Sequence, residues 1–486
     1  MQDSLTKDTL RSATLPNPTL VLFLMAGVLI WYFCGEDTGP LSALAAALVM
    51  TVLAACVIYA ISRRPWLAVI FLVAGGTMAR VYVEIFGLKA RPEHFAIVLF
   101  CLALPFWQRR QLASPRWILP DLFLVLYVAS NLLSSLVMSI APAKTIRWAM
   151  QQTLVILAYF LLRIFCTSQE RFRKCFMILL AVGAGQAMVA IFCFLSNLIF
   201  GTGFGMEIGQ YGSIPGTYGL ELEANILGSI SAAAFVMMII MYLKERRSIF
   251  LWGMAITYAG VLVALARAAV MGAFVAFGLL IIISVRNKLI DMPSVKKLAK
   301  TLIITSVIFF PMVISLYLQR FSTLDVTDVS ADEDTTTRVI TLVTAMDGVM
   351  EHPILGNGTA SFQLLVSMQD LGFGDDVDQN AWIGNTEMRV LHDTGIVGLT
   401  LLLCFLGSLA VKAIKILRLE LKPELLALLL ACVVYSVTFQ ATEGTLLEFF
   451  WVHAGLLGCA VSIYGVPKRQ LADSGGHRVS LGPASA

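Results

Sequence analysis

The sequence predicts an all-α, polytopic membrane helical bundle of about fourteen transmembrane helices, with one large outward-facing loop that contains short helices. Three observations predict it. The 486-residue chain is 58% hydrophobic and 14% charged, with a mean hydropathy of +0.83, so its polar side chains are too few to cover a water-soluble surface. Its apolar runs reach the roughly 20 residues that a helix needs to cross hydrocarbon. Between those runs, basic clusters fall at alternate connections, as the positive-inside rule requires of cytoplasmic loops.

In order along the chain, residues 1–17 are polar and lack a cleavable signal pattern, so the first apolar run reads as an uncleaved signal anchor behind a cytoplasmic tail. Apolar runs near 18–34, 41–62, 66–86, 93–107, 117–138, 146–165, 175–200, 222–243, 249–265, 268–285 and 300–318 make the first eleven spans of residues 18–318. Three more, near 387–411, 424–440 and 446–464, complete residues 387–464, and 465–486 form a second cytoplasmic tail. Arg63-Arg64 and the clusters at 108–110, 171–174, 244–247, 296–300, 412–418 and 467–469 mark the cytoplasmic side, which puts both termini there. Seven tryptophans, among them Trp117, Trp148, Trp252 and Trp382, stand at or beside span ends as an interfacial belt does. The nine cysteines fall in or at the ends of apolar runs without zinc-type spacing and read as small buried hydrophobes.

The run at 249–285 contains one arginine, Arg267. In hydrocarbon a guanidinium costs about 2.5 kcal/mol or more unless it is paired or reaches water. Basic clusters flank the run on both sides, so it must cross an even number of times, and two short spans meeting at Arg267 satisfy that. Arg267 then stands at the outer face, anion-facing or snorkelling.

The large outer loop, 319–386, is acidic. Residues 320–386 carry two arginines against eleven carboxylates, a balance of about −9, which argues against nucleic acid and anionic lipid as partners. Within it, Thr335 to Thr337 can cap an amphipathic helix over 338–351, with Val339, Leu342, Val343, Met346, Val349 and Met350 as its apolar face and Arg338 at the edge of that face. His352-Pro353 ends the helix, and Gly356 and Gly358 permit a tight turn. At the next span entry, Glu387, Arg389, His392 and Asp393 lie at a depth where ionisable residues are expensive and suggest a site. Arg389 and Asp393, four residues apart, either pair along the helix or join that site.

The arginine in "ALARAAVMGAF", the arginine-led helix running into "EHPILGNGTASF", the span entry "GNTEMRVLHDTGIVGL" and the span start "EANILG" with Asn225 resemble the O-antigen ligase and polysaccharide polymerase superfamily. The likeness covers the core of residues 217–411. It implies a glycosyltransferase of the bacterial inner membrane, working at the periplasmic face without metal, cofactor or nucleotide sugar. The implied donor is an oligosaccharide on a polyprenyl (undecaprenyl) diphosphate and the acceptor is a glycan, with membrane lipid around both and a chain-length regulator as a candidate further partner. Arg267 and Arg338 would hold the diphosphate, since guanidinium forks bind phosphate oxygens in pairs. Ligases of this superfamily commonly carry a His-Asn pair at the start of this span; here Gly384 stands at the histidine position, followed by Asn385. Glu387, His392, Glu221 and Glu223 are the candidate replacements for that base, with Asn225, Asn385 and His352 in supporting places. The missing histidine favours a polymerase over a ligase. A transporter or flippase is the reading of another class, opposed by the gathering of charged residues at one face.

Overall fold

The computed structural model describes residues 60–61, 63–85, 88–104, 116–206, 216–287, 291–322, 333–367 and 381–465. The N-terminal tail, nearly all of the first two expected spans, the tail from 466 and the loop segments 323–332 and 368–380 lie outside the described residues. The chain divides into two compact units, one of residues 1–68 and 98–108, the other of 69–97 and 109–486. In the first, the described residues are mostly helical.

The described helices are α1 (Pro65–Gly75), α2 (Pro92–Ala103), α3 (Leu119–Val137), α4 (Pro142–Phe165), α5 (Gln169–Phe200), α6 (Ala224–Glu245) and α7 (Ser248–Ala264). They continue with α8 (Arg267–Arg286), α9 (Met292–Ser322), α10 (Glu333–Glu351), α11 (Ser361–Leu365), α12 (Thr386–Leu419), α13 (Pro423–Thr438) and α14 (Glu448–Tyr464). Among the described residues, α3, α4, α5, α6, α8, α12 and the Met292–Ile314 part of α9 are long and apolar enough to cross a membrane, and α1, α2, α7, α13 and α14 are shorter apolar helices. The fold is an all-α polytopic membrane bundle.

Helix α6 is buried along nearly its whole length and packs against α5, α7, α8 and α13. Lipid supplies no hydrophobic drive between helices, so close approach depends on small side chains. A Cβ at Gly228 of α6 would lie 2.7 Å from the Ala269 Cβ and 2.9 Å from that of Ala266. One at Gly260 of α7 would lie 2.7 Å from the Ala187 Cβ of α5.

The apolar stretch 249–285 is two helices, and Arg267 is the first residue of the second. Leu265 makes the turn in the left-handed region, at φ 55°, where a branched side chain costs about 1–2 kcal/mol. Leu265 and its neighbours Ala264 and Ala266 are completely buried, and that packing holds the turn without glycine or proline.

Three expectations need correction. The span expected at 66–86 stops at Gly75. Beyond it an antiparallel hairpin pairs β1 (Val83–Ile85) with β2 (Leu88–Ala90). Gly75-Gly76 weakens helix continuation, and the β-branched and aromatic residues of "VYVEI" favour a strand. The amphipathic helix begins at Glu333 rather than 338, so Thr335 to Thr337 lie in its first turn instead of capping it. Its inner face is the expected one only in part: Val349 is buried and Leu342 half-buried, joined by buried Thr341 and Ala345, whereas Val339, Val343, Met346 and Met350 are exposed. Small residues win the inner face because α10 lies close on α12, where a Cβ at Gly348 would sit 2.7 Å from His392 Nε2.

Helix α12 is interrupted at Gly395, which takes φ 64°, ψ −168°. This region is accessible essentially only to glycine. A Cβ there would lie 2.2 Å from the Ile354 carbonyl oxygen. Gly395→Ala is therefore expected to lose at least about 1–3 kcal/mol from backbone strain alone. Gly407→Ala, in the same helix with open space at its Cβ, should gain about 0.5–1 kcal/mol. Thermal melts of the two variants in detergent check the opposite signs.

Candidate functional site

The site end of the bundle is built where α12 begins and where the chain turns between α13 and α14. Asn385 caps α12, its Oδ1 accepting from the Met388 N–H at 2.8 Å. Thr386 sews the helix start to the turn: its N–H donates to Phe439 O at 3.0 Å and its hydroxyl to Thr442 O at 3.1 Å. One turn on, Arg389 Nε donates to Asp393 Oδ2 at 3.1 Å, and Arg389 Nη1 lies 3.0 Å from Glu443 Oε1. Arg389 and Asp393 thus pair along the helix, both buried, and Glu443 joins them from the turn.

The same carboxylates hold two loops. Asp393 Oδ2 accepts from the Ala360 N–H at 2.8 Å, and the Asp393 carbonyl accepts from the Gly358 N–H and the Ser134 hydroxyl. The Gly356–Asn357–Gly358 turn fits because a Cβ at Gly356, φ 71°, would lie 2.4 Å from the Thr394 nitrogen. Glu443 Oε1 also accepts from the Thr445 hydroxyl at 2.6 Å and the Leu446 N–H at 3.0 Å. Trp451, wholly buried in α14, donates from Nε1 to Thr445 O at 2.8 Å.

On this frame three consecutive residues each touch one residue that the sequence singles out. Gln440 Nε2 donates to Glu387 Oε1 at 2.8 Å. Arg338 Nη1, reaching inward from α10, donates to Ala441 O at 2.6 Å. The Thr442 hydroxyl donates to Glu223 Oε2, at the N-cap of α6, at 2.9 Å. Gly384 lies beside Arg338, whose Nη1 would be 3.4 Å from a Cβ at that position. Helix α10, the α6 start and the α12 start are therefore brought together by the 440–442 turn.

Arg267 stands at the same end. The first turn of α8 packs on the first turn of α6 through Ala266, Ala269 and Gly228, and Gly272 of α8 meets Val434 and Thr438 at the end of α13. Asn225 is the second residue of α6 and half-buried. His352 follows the last residue of α10, where its carbonyl accepts from the Gly356 N–H at 2.8 Å, so it belongs to the turn.

Two candidate bases are enclosed. His392 is buried, with Nδ1 3.3 Å from Asp393 Oδ1, Phe362 against its ring at 5.5 Å and Nε2 facing Gly348. Glu221 is completely buried, and neither of its carboxylate oxygens has a hydrogen-bond partner among the described residues. Burial, and after it the charge of Glu93, pushes its carboxyl well above the ordinary value of 4.5, with Arg91 opposing. Glu93 and Glu448 are likewise buried. Among the described residues no group of three or more His, Cys, Asp or Glu side chains is placed to hold a metal ion.

Sequence reasoning places a connection at 441–445, after α13, but gives it no part in the site. The signal was present in "FQATEGT", a polar interruption between two apolar runs, but nothing in it tells which distant residues its hydroxyl, amides and carboxylate will meet.

Residues 252–403 match the family model described as O-antigen ligase. Over those residues the chain is similar to the O-antigen ligase family. No curated protein matches the sequence. The matched segment of the family domain contains Arg267, Arg338, Gly384, Asn385, Glu387, Arg389, His392 and Asp393. Glu223 and the 440–442 turn come from outside it.

The raised Glu221 carboxyl has a testable sign. A folded-state acid that holds its proton more tightly than the unfolded chain stabilises fully below about pH 4.5 and loses that contribution as pH rises towards its folded midpoint. The groups facing it are Glu93, Arg91 and Tyr435. Glu221→Gln removes the dependence, so the thermal midpoint of the variant relative to the parent should rise between pH 5 and pH 8. An equal difference at both pH values would count against a neutral Glu221.

Proposed function

We propose that the protein is a glycosyltransferase of the bacterial inner membrane that joins a polyprenyl-diphosphate-linked oligosaccharide to an acceptor glycan at the periplasmic face, both termini being cytoplasmic. The observation that carries this reading is the convergence of Glu387, Arg338 and Glu223 on the 440–442 turn, in a chain whose family segment is described as O-antigen ligase. Helices α6, α8 and α12 all begin at this end, and helix N-termini favour a bound anion. Arg267 is the first residue of α8, so a guanidinium and a helix N-terminus, both of which favour an anion, coincide there.

In this reading Arg267 and Arg338 bind the diphosphate. Glu387 takes the proton from the acceptor hydroxyl as that oxygen bonds to the anomeric carbon of the donor sugar. The bond from that carbon to the phosphate oxygen breaks, and its electron pair leaves with the polyprenyl diphosphate. Charge developing on the leaving oxygens is what fixed guanidinium groups stabilise. Glu387 is preferred to His392 and Glu221 because it is half-exposed while they are enclosed, and Glu223 is the second carboxylate at the turn. No bound metal is required by these steps, so activity should persist in excess chelator.

With Gly384 at the histidine position of the ligases, the acceptor is taken to be a growing glycan, as in a polymerase. Purified full-length protein, supplied with a polyprenyl-diphosphate oligosaccharide, tests the alternatives. A ladder of lengthened glycan supports the polymerase, a single transfer to a lipid acceptor supports the ligase, and translocation without a new glycosidic bond supports a transporter.

Glu387→Gln is expected to lower turnover by about 10²–10⁴-fold while donor binding survives. A fall smaller than about tenfold would move the base to Glu223. Arg267→Lys and Arg338→Lys should each restore little of the activity lost in the alanine variants, because a point charge does not reproduce the planar fork. Full restoration by lysine at both positions would refute paired phosphate contacts.

A further inference from the structure

The geometry points to Asn385 and Gln440 as positioning residues that hold the Glu387 carboxylate through a two-step amide relay. This rests on the reading of Glu387 as the base. Each link dictates the next. The Asn385 Oδ1 is committed to the α12 cap by the Met388 N–H, at 2.8 Å, which turns its amide nitrogen outward. That Nδ2 donates to Gln440 Oε1 at 3.1 Å and to Gln440 O at 3.3 Å. With its oxygen so held, the Gln440 side chain can present only its NH₂ to Glu387, and Nε2 donates to Oε1 at 2.8 Å. The opposite amide orientation would set NH₂ against NH₂ at Asn385 and oxygen against carboxylate at Glu387, so one arrangement alone satisfies all three groups.

The consequence falls on the second oxygen of Glu387. Oε1 is engaged, while Oε2 is buried with no hydrogen-bond partner among the described residues. An acceptor hydroxyl of a sugar is the class of group that would complete it once the cover over this shielded oxygen is displaced, the relay having already set the direction of the carboxylate. Misdirection of a reacting group by about 1 Å can cost on the order of 10²-fold in rate. The charged groups around the relay are Arg338, Glu223 and the Arg389–Glu443 pair, each engaged elsewhere on the turn. Gln440 is thus the neutral donor that reaches Glu387 without quenching its negative charge.

The test uses the purified full-length protein and two independent measurements. The infrared difference between parent and Glu387→Gln isolates the Glu387 carboxylate band, and no substrate is needed. Gln440→Leu should move that band in the sense of a lost hydrogen bond. Asn385→Ser keeps a cap acceptor but lacks the amide, and should move the band in the same sense although position 385 does not touch Glu387. Turnover of a polyprenyl-diphosphate oligosaccharide should fall roughly 10- to 100-fold in both variants with KM for that donor unchanged. An unmoved band in either variant overturns the relay, whatever the activity of Glu387→Gln. A moved band with unchanged kcat overturns its part in positioning. Full turnover in Glu387→Gln refutes the base reading and leaves the band test of the relay intact. Should Gln440→Leu fail to fold, Gln440→Met and Asn385→Ser carry the same comparison.

Discussion

The buried ion network of Arg389, Asp393 and Glu443 is the constraint on which the site end of the bundle depends. One guanidinium lies between two carboxylates, and each carboxylate accepts further hydrogen bonds from backbone amides. Removing one partner of such a buried pair typically costs about 3–5 kcal/mol, because the other charge is left in a medium that solvates it poorly. The network therefore sets the mutual position of three segments far apart in sequence: the 356–360 turn, the first two turns of α12 and the 439–446 turn. Glu387 stands on that frame two residues from Arg389, and the 440–442 turn one to three residues from Glu443.

Glycine decides how closely the frame can be assembled. Gly356 takes a positive φ that other residues rarely adopt and Gly395 a conformation essentially closed to them, and each faces the backbone of the other's segment at less than van der Waals distance for any added Cβ. The break at Gly395 separates a short polar first segment of α12, carrying Glu387 to Asp393, from the long apolar part that follows. Ionisable groups can then be concentrated in the short segment without being carried through hydrocarbon. A comparable division occurs at Leu265, where packing rather than glycine imposes the turn that brings Arg267 to the start of a helix.

Much of this was legible in the sequence because bilayer crossing is governed by short-range composition. The runs near 117–138, 146–165, 222–243, 424–440 and 446–464 correspond to α3, α4, α6, α13 and α14 within a few residues. Where local preference and hydropathy compete, hydropathy misleads: Val81, Tyr82 and Val83 are apolar enough to extend a span, yet they lead into a hairpin. In α10 the apolar stripe read from a 3.6-residue period faces outward at Val339, Val343, Met346 and Met350, because close packing on α12 selects small residues instead. Periodicity identifies an amphipathic helix but cannot tell which side a crowded neighbour will admit.

For the site, the sequence by itself determined the cast: Arg267, Arg338, Glu387 and Glu223 were visible as charges set in or beside apolar runs, where each demands an explanation. Only the tertiary structure decided their neighbours. It enclosed His392 and Glu221 and paired Arg389 with Asp393 and Glu443. It also made Gln440, Ala441 and Thr442 the meeting point of Glu387, Arg338 and Glu223. The physical reason is separation along the chain. The cost of burying a charge is written in its immediate neighbours, but the partner that offsets the cost lies 50, 100 or 200 residues away and is chosen by how the helices pack.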